Sequence, residues 1–381
     1  MRFDTRLIHD GQPPDPLTGA VNTPIYLSST FVQSSPNRHQ GYVYGRSGNP
    51  SRAALERALA AVEGGTVGLA FSSGLGALAT LLEHFPSASR IVAGNDLYGG
   101  TYRLFEHHRR QFGIAVDYVD LTRPEPLRSA LGSAATQLVY FETPSNPLLR
   151  LADIAGVARA AHRAHALVAV DNTFASPALQ RPIERGADIV LHSTTKYLGG
   201  HSDIVGGALV LADRKLGERF AWLQNAVGAV PSPFDCFLVQ RGLHTLGVRM
   251  RAHCAGAAAV ADALTGHAKV GTVHYPGRDD HPQHALATRQ MDGFGGMVSF
   301  ELVGGMAAAR RFLRRLRVFT LAESLGGVES LVDHPASMTH ASVPRAEREA
   351  QGITDGLLRL SCGIEDPTDL VDDVRRALAG V

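Results

Sequence analysis

Apolar positions along the chain gather into short runs separated by stretches of helical periodicity. VGLAF (67–71), RIVAG (90–94), QLVYFE (137–142), ALVAVD (166–171), ADIVLH (187–192) and GGALVLA (206–212) are near-continuous in hydrophobicity instead of alternating with polar residues. Runs of that kind belong to strands buried on both faces, and the helical stretches between them supply crossovers. The pattern therefore predicts a mostly parallel sheet with helices on both sides, an α/β fold. From Asp235 to about Leu264 apolar residues keep helical spacing, which marks a hinge between two domains. Beyond it VGTVHY (270–275), MVSFEL (297–302) and LLRLSC (357–362), with helices between and after them, predict a smaller α+β domain. The first forty or so residues are rich in Pro, Ser, Thr and Asn without periodicity, and read as an extended arm of the sort that embraces a neighbouring subunit. The layout expected is an arm over 1–48, an α/β domain over 49–235 and an α+β domain over 236–381.

Composition narrows the function class. With 44% hydrophobic and 19% charged residues in 381, the chain has apolar material for a large core and is not intrinsically disordered. Its 37 basic and 36 acidic residues give a net charge of +1, so no overall field recruits nucleic acid or an anionic membrane, and the expected partner is a small molecule. The basic stretch ARRFLRRLR (309–317) reads as a solvated helix face. Cys236, Cys254 and Cys362 stand far apart, with neither metal-ligand spacing nor a disulfide framework, which suits a reducing compartment. The start of the chain lacks an apolar signal core and no run reaches membrane-span length, so a cytoplasmic protein is expected, and no metal.

The chemistry concentrates at the ends of two successive apolar runs. ALVAVDNTFASP ends its run at Asp171, and ADIVLHSTTKYLGGHSD places Lys196 just past the next one. Open α/β sheets bind ligands outside the carboxyl ends of their strands, so both side chains can converge on one ligand. Pyridoxal phosphate needs that pair: a lysine amine to hold its aldehyde covalently, and a carboxylate to keep the pyridine nitrogen protonated so that the ring withdraws electrons. Its phosphate has three candidate holders, namely the strand-to-helix turn FSSGLGAL (71–78), the hydroxyls of Ser193 and Thr195, and Arg46 in YVYGRSGNPS. Taken singly, a glycine-serine turn is an ordinary loop, a strand-terminal aspartate is a helix cap and a lone lysine is a surface residue. Their order on an alternating α/β background is what carries the reading.

These motifs resemble the Cys/Met metabolism enzymes that use pyridoxal phosphate, a family that includes cystathionine gamma-lyase, cystathionine gamma-synthase, cystathionine beta-lyase and methionine gamma-lyase. The resemblance runs through TRLIHDG, TGAVNTPIYLSSTF, YVYGRSGNPS, FSSGLGA, DLYGGTYRLF, ETPSNPL, DNTFASP, HSTTKYLGGHSD, TLAESLGGVESL, SMTHASV and LLRLSCGIED, in order and over nearly the whole chain. It implies fold type I of the pyridoxal-phosphate-dependent transferases and a homotetramer, a dimer of dimers, with each active site shared between two subunits. Lys196 would carry the cofactor, Asp171 would pair with its ring nitrogen and Tyr98 would stack on the ring. The amides of Gly74 and Leu75, with Ser193 and Thr195, would hold the phosphate, joined by Tyr44 and Arg46 of the adjacent subunit. Asn146 would lie near the ring hydroxyl, Arg359 would clamp the substrate α-carboxylate and Ser324 would sit beside it.

Within the resemblance, Glu323 in TLAESLGG occupies the place where cystathionine gamma-lyases and gamma-synthases are similar to this chain, and a carboxylate there can pair with the distal ammonium of cystathionine. Gly100 stands where methionine gamma-lyases have cysteine. Val43 departs from the pattern, since cystathionine enzymes commonly carry an acid in that place. The expected activity is γ-elimination on L-cystathionine, with Lys196 as base and Tyr98 as acid toward the leaving group. The alternatives are cystathionine gamma-synthase or another γ-replacement on an O-acylhomoserine, then methionine gamma-lyase or cystathionine beta-lyase, and, from another class, a protein that binds the cofactor without catalysis.

Overall fold

The structure is a computed structural model and describes residues 1–341 and 343–381; Ser342, within the SMTHASV motif, lies outside them. Seven strands form the large sheet: β3 (Val67–Phe71), β4 (Arg90–Gly94), β5 (Ala115–Val119), β6 (Leu138–Glu142), β7 (Leu167–Asp171), β8 (Ile189–Ser193) and β9 (Gly207–Leu211). Their order is β3-β9-β8-β7-β6-β4-β5, and β9 alone runs antiparallel to both its neighbours. The expected mostly parallel sheet is present, and its strands are apolar throughout because helices cover both faces. Ala169, Val170, Ile189, Val190 and Leu209 are fully buried, in packing clusters on the two sides of the sheet. Strand β5 was missing from the reading because AVDYV mixes Asp117 into its run, and the burial pattern of this edge strand is correspondingly weak.

The helices that matter for the site start where their caps dictate. Helix α1 (Phe3–His9) opens the chain; α2 (Pro50–Glu63) follows Asn49, whose side chain accepts from the Ser51 and Arg52 amides, and ends at Gly64 with φ 76°. Helix α3 (Gly74–Leu82) is capped by Ser73, and α4 (Gly99–Phe112) begins directly after Tyr98. The stretch expected to be one long hinge segment is two helices, Pro233–His244 and Leu246–Leu264, broken at Thr245.

Near the C-terminus β10 (Val270–His274), β11 (Met297–Leu302), β12 (Thr320–Leu321), β13 (Leu331–Asp333) and β14 (Leu357–Ser361) make a second sheet in the order β10-β11-β14-β13-β12. The three longer strands match the expected runs, whereas β12 and β13 are too short to leave a periodic signal. The N-terminal region departs from a simple arm. Residues 3–9 are helical because Phe3 and Leu7 share a face, Leu7 is buried in the main core, and Arg6 bonds Asp10 one turn on at 2.8 Å. After it the chain is extended, with a small hairpin of β1 (Gln33–Ser35) and β2 (Arg38–His39), and leaves Leu17, Val21, Leu27 and Val32 bare, the last 90% exposed.

Candidate active site

The carboxyl ends of β6, β7 and β8 open into a cavity of about 640 Å³ lined by Ser73, Gly74, Leu75, Tyr98, Glu142, Asn146, Asp171, Ser193, Thr195, Lys196, Glu323, Ser324 and Arg359, among others. Sequence positions more than two hundred residues apart meet here because the strap between β12 and β13 brings Ala322–Leu325 against the lysine loop, while β14 delivers Arg359 from the second sheet. Eleven of the thirteen expected site residues line this one cavity. The other two, Tyr44 and Arg46, lie outside it: Tyr44 is 49% exposed and the Arg46 guanidinium donates to Asn225 at 3.0 Å.

Lys196 sits past the end of β8 and donates from Nζ to Ser324 Oγ at 2.7 Å. Ser324 offers that oxygen from a backbone at φ 98°, a left-handed conformation costly for a residue with a Cβ, and such strain persists only where the surroundings impose it. Burial, helped by the Arg359 charge, pulls the Lys196 ammonium down to about 8. Asp171 ends β7, where its Oδ1 accepts from the Thr173 amide at 2.9 Å and its Oδ2 from the Tyr140 hydroxyl at 3.4 Å. Burial pushes its carboxyl up, and the Thr173 hydrogen bonds oppose that.

Arg359 is 2% exposed, not the solvent-facing strand arginine that its sequence position alone would suggest. Its Nη1 donates to Asn146 Oδ1 at 2.7 Å and its Nη2 to the Ser324 carbonyl at 3.1 Å, with Asp333 Oδ2 at 3.5 Å. The guanidinium is thus held in one plane with Nε still unpartnered among the described residues. Glu323 is exposed at the cavity mouth, near enough for its charge to act on both Lys196 and Tyr98. The Tyr98 ring folds over Gly100, where a Cβ would stand 2.4 Å from Tyr98 Cε1, so no side chain fits at position 100 with the ring placed this way.

The residues present fit pyridoxal phosphate. The Ser73 side chain caps the Gly76 amide at 2.9 Å, leaving the Gly74 and Leu75 amides at the positive end of α3 without an intrahelical acceptor. Gly74 is pressed against Ser193, whose Cβ would lie 3.1 Å from a Cβ added there, so the amides reach the cavity because position 74 has no side chain. An anion cradle, a buried amine with a depressed pKa and a carboxylate at the adjacent strand end are the donor set such a cofactor requires.

A family model described as "Cys/Met metabolism PLP-dependent enzyme" matches residues 4–379. The chain belongs to this family. It is 53% identical to a cystathionine beta-lyase of Coxiella burnetii, over 99% of this chain and 97% of the relative. It is 51% identical to a cystathionine gamma-synthase of Mycobacterium bovis, over 98% and 96%. The fold superposes with a TM-score of 0.97 on a cystathionine gamma-lyase from Lactobacillus plantarum complexed with L-serine, 45% identical and covering 100% of this chain and 99% of that one. This Cys/Met metabolism enzyme is therefore PLP-dependent and of fold type I, and its relatives divide among three trans-sulfuration activities.

In this PLP enzyme several lining residues escaped the sequence reading. Glu142 could have been found as the terminal residue of QLVYFE, placed as Asp171 is on its own strand. Tyr140, Thr173 and Thr339 carried no signal: Tyr140 meets Asp171 from the next strand, Thr173 accepts the Ser193 amide twenty residues on, and Thr339 enters the cavity from the segment after β13.

The depressed Lys196 value has a measurable consequence. Its amine is free above pH of about 8 and protonated below it. Covalent uptake of pyridoxal phosphate by the apoprotein, followed by visible absorbance, is expected to quicken about tenfold per pH unit up to that point and then level off. A rate still climbing toward pH 10 would show an unperturbed lysine.

Proposed function

We propose that the enzyme cleaves L-cystathionine by γ-elimination, consuming water and giving cysteine, 2-oxobutanoate and ammonia. The observation that carries this reading is the pairing, in one cavity, of a buried guanidinium, Arg359, with an exposed carboxylate, Glu323, at the mouth. The first suits the α-carboxylate at the reacting end of the substrate and the second its distal ammonium.

In this reading Gly74, Leu75, Ser193 and Thr195 would hold the phosphate of pyridoxal phosphate, Asp171 would pair with its ring nitrogen, Tyr98 would stack on the ring, Asn146 would lie near the ring hydroxyl and Lys196 would be its covalent anchor. The bound cofactor supplies an electron-withdrawing ring. Arg359 orients the substrate through its α-carboxylate, its plane fixed by Asn146 and the Ser324 carbonyl. Lys196 Nζ takes the proton from Cα and then from Cβ, since an amine near pH 8 both accepts and returns protons at neutral pH. Ser324 Oγ fixes the direction of that amine. Burial holds the Tyr98 hydroxyl above its ordinary value, which keeps a proton on it for the departing sulfur.

A shared active site in a homotetramer agrees with two features. Tyr44 and Arg46 sit outside their own chain's cavity, and the segment leading to them exposes Leu17, Val21, Leu27 and Val32 to solvent.

Val43, at 36% exposure, favours γ-replacement on an O-acylhomoserine as the second reading, because it removes an acid from the arm expected to face the distal ammonium. A product assay separates them. With L-cystathionine, 2-oxobutanoate is expected as the main ketoacid; pyruvate in its place would shift the assignment to β-elimination, and rapid cystathionine formation from O-succinylhomoserine and cysteine would shift it to the synthase. Val43→Glu is expected to raise selectivity for cystathionine over methionine about tenfold by adding one charged contact. Unchanged relative efficiencies would remove Val43 from the account of specificity.

A further inference from the structure

Two carboxyl groups end adjacent strands in the cavity, and the mechanism above uses only one of them. Glu142 on β6 stands in register with Asp171 on β7. Its Oε1 accepts the Tyr98 amide at 2.8 Å. Tyr98 occupies the N-cap position of α4 yet makes no side-chain cap bond, so Glu142 satisfies from a neighbouring strand a backbone donor at the start of that helix. We propose that Glu142 is a positioning residue: as an uncharged carboxylic acid it ties down the start of α4 and with it the Tyr98 ring, leaving Asp171 as the charged carboxyl at this end of the cavity.

The geometry favours that division of labour. None of the ion pairs among the described residues includes Glu142, and the acids facing it are Asp171 from β7 and Asp96 from the loop after β4. Asp96 accepts from the Ser145 hydroxyl and feels the charge of Arg150, whereas no cation among the described residues acts on Glu142 in this way. Each acid has an amide and a hydroxyl in support, Tyr98 and Thr101 for Glu142 and Thr173 and Tyr140 for Asp171. Asp171 is the better seat for a negative charge because the His192 imidazole also acts on it from the next strand. His192 in turn bonds the buried Glu63 at 2.5 Å. Burial and the neighbouring Asp171 both hold the Glu142 carboxyl well above the usual range, in the direction of the neutral form. A neutral acid still accepts the Tyr98 amide and adds no second negative charge beside Asp171.

The proposal rests on the reading that Asp171 faces the cofactor ring nitrogen, and the test keeps the two apart. Glu142→Gln and Glu142→Ala holoenzymes are compared with wild type for kcat, KM and the pH midpoint of the visible cofactor band, with thermal melting alongside. Glu142→Gln, which keeps a neutral acceptor, is expected to retain kcat within about threefold and the band midpoint within about 0.3 pH unit. Glu142→Ala is expected to lose about 10- to 100-fold in kcat with KM little changed, as the ring over the reaction loses its tether. Equal damage from both substitutions, or a midpoint moved by a full unit in Glu142→Gln, would mean that the charge matters and would overturn the proposal, as would full activity in Glu142→Ala. Asp171→Asn reports on the underlying reading separately: an unchanged band and cofactor affinity in that variant would refute the role of Asp171 whatever Glu142 does.

Discussion

Lys196→Ala is expected to lower turnover of any γ-substituted amino acid by about 10⁴-fold, the upper range for loss of a general base that also anchors the cofactor. The size follows from what the amine does at its place. It is buried, lowered to about 8 and aimed by Ser324 Oγ at 2.7 Å, and no other lysine lines the cavity to replace it. Folding should survive, because truncation removes a cation that burial already disfavours. The check is single-turnover kinetics on protein saturated with pyridoxal phosphate, with melting temperature as control. Retention of more than about one part in a hundred of wild-type turnover would point to a different base.

Arg359→Lys should separate binding from chemistry. A lysine keeps the charge but presents a point donor where the fork now engages Asn146 and the Ser324 carbonyl, with Nε unpartnered among the described residues. Loss of one charge-assisted hydrogen bond, about 1.5–3 kcal/mol, corresponds to a rise in KM of about 10- to 150-fold. Arg359→Ala is expected to be worse in kind. It leaves Asp333, 1% exposed, facing an emptied space, and breaking a buried pair in this way costs about 3–5 kcal/mol of stability. Steady-state kinetics and melting curves together test both substitutions. A lysine variant with unchanged KM would show that Arg359 does not meet the substrate carboxylate.

What could be seen in the sequence was what local patterning controls. The apolar runs of β3, β4, β6, β7, β8 and β9 were legible because a strand buried on both faces has to be continuous in hydrophobicity, and Asp171 and Lys196 stood out as polar residues just past such runs. Strands β12 and β13 were not legible, being two and three residues long and held by the partners they meet in the second sheet. The helix at Phe3–His9 was hidden among prolines and polar residues, since its stability comes from Leu7 entering a core assembled far along the chain. Among site residues, Arg359 and Asn146 could be named only through resemblance, because the contact between them spans 213 positions. Glu142 left a trace that was readable in principle, at the end of a strand like Asp171, but its hydrogen bond to the Tyr98 amide depends on a tertiary contact 44 residues away.

The most direct measurement is borohydride reduction of the enzyme with bound pyridoxal phosphate, followed by digestion and mass mapping of the peptides. A single pyridoxyl label on Lys196, in the peptide that carries HSTTKYLGGHSD, is the expected result. Label on Lys215 or Lys269, or none on any lysine, would contradict the assignment of this cavity as the catalytic centre.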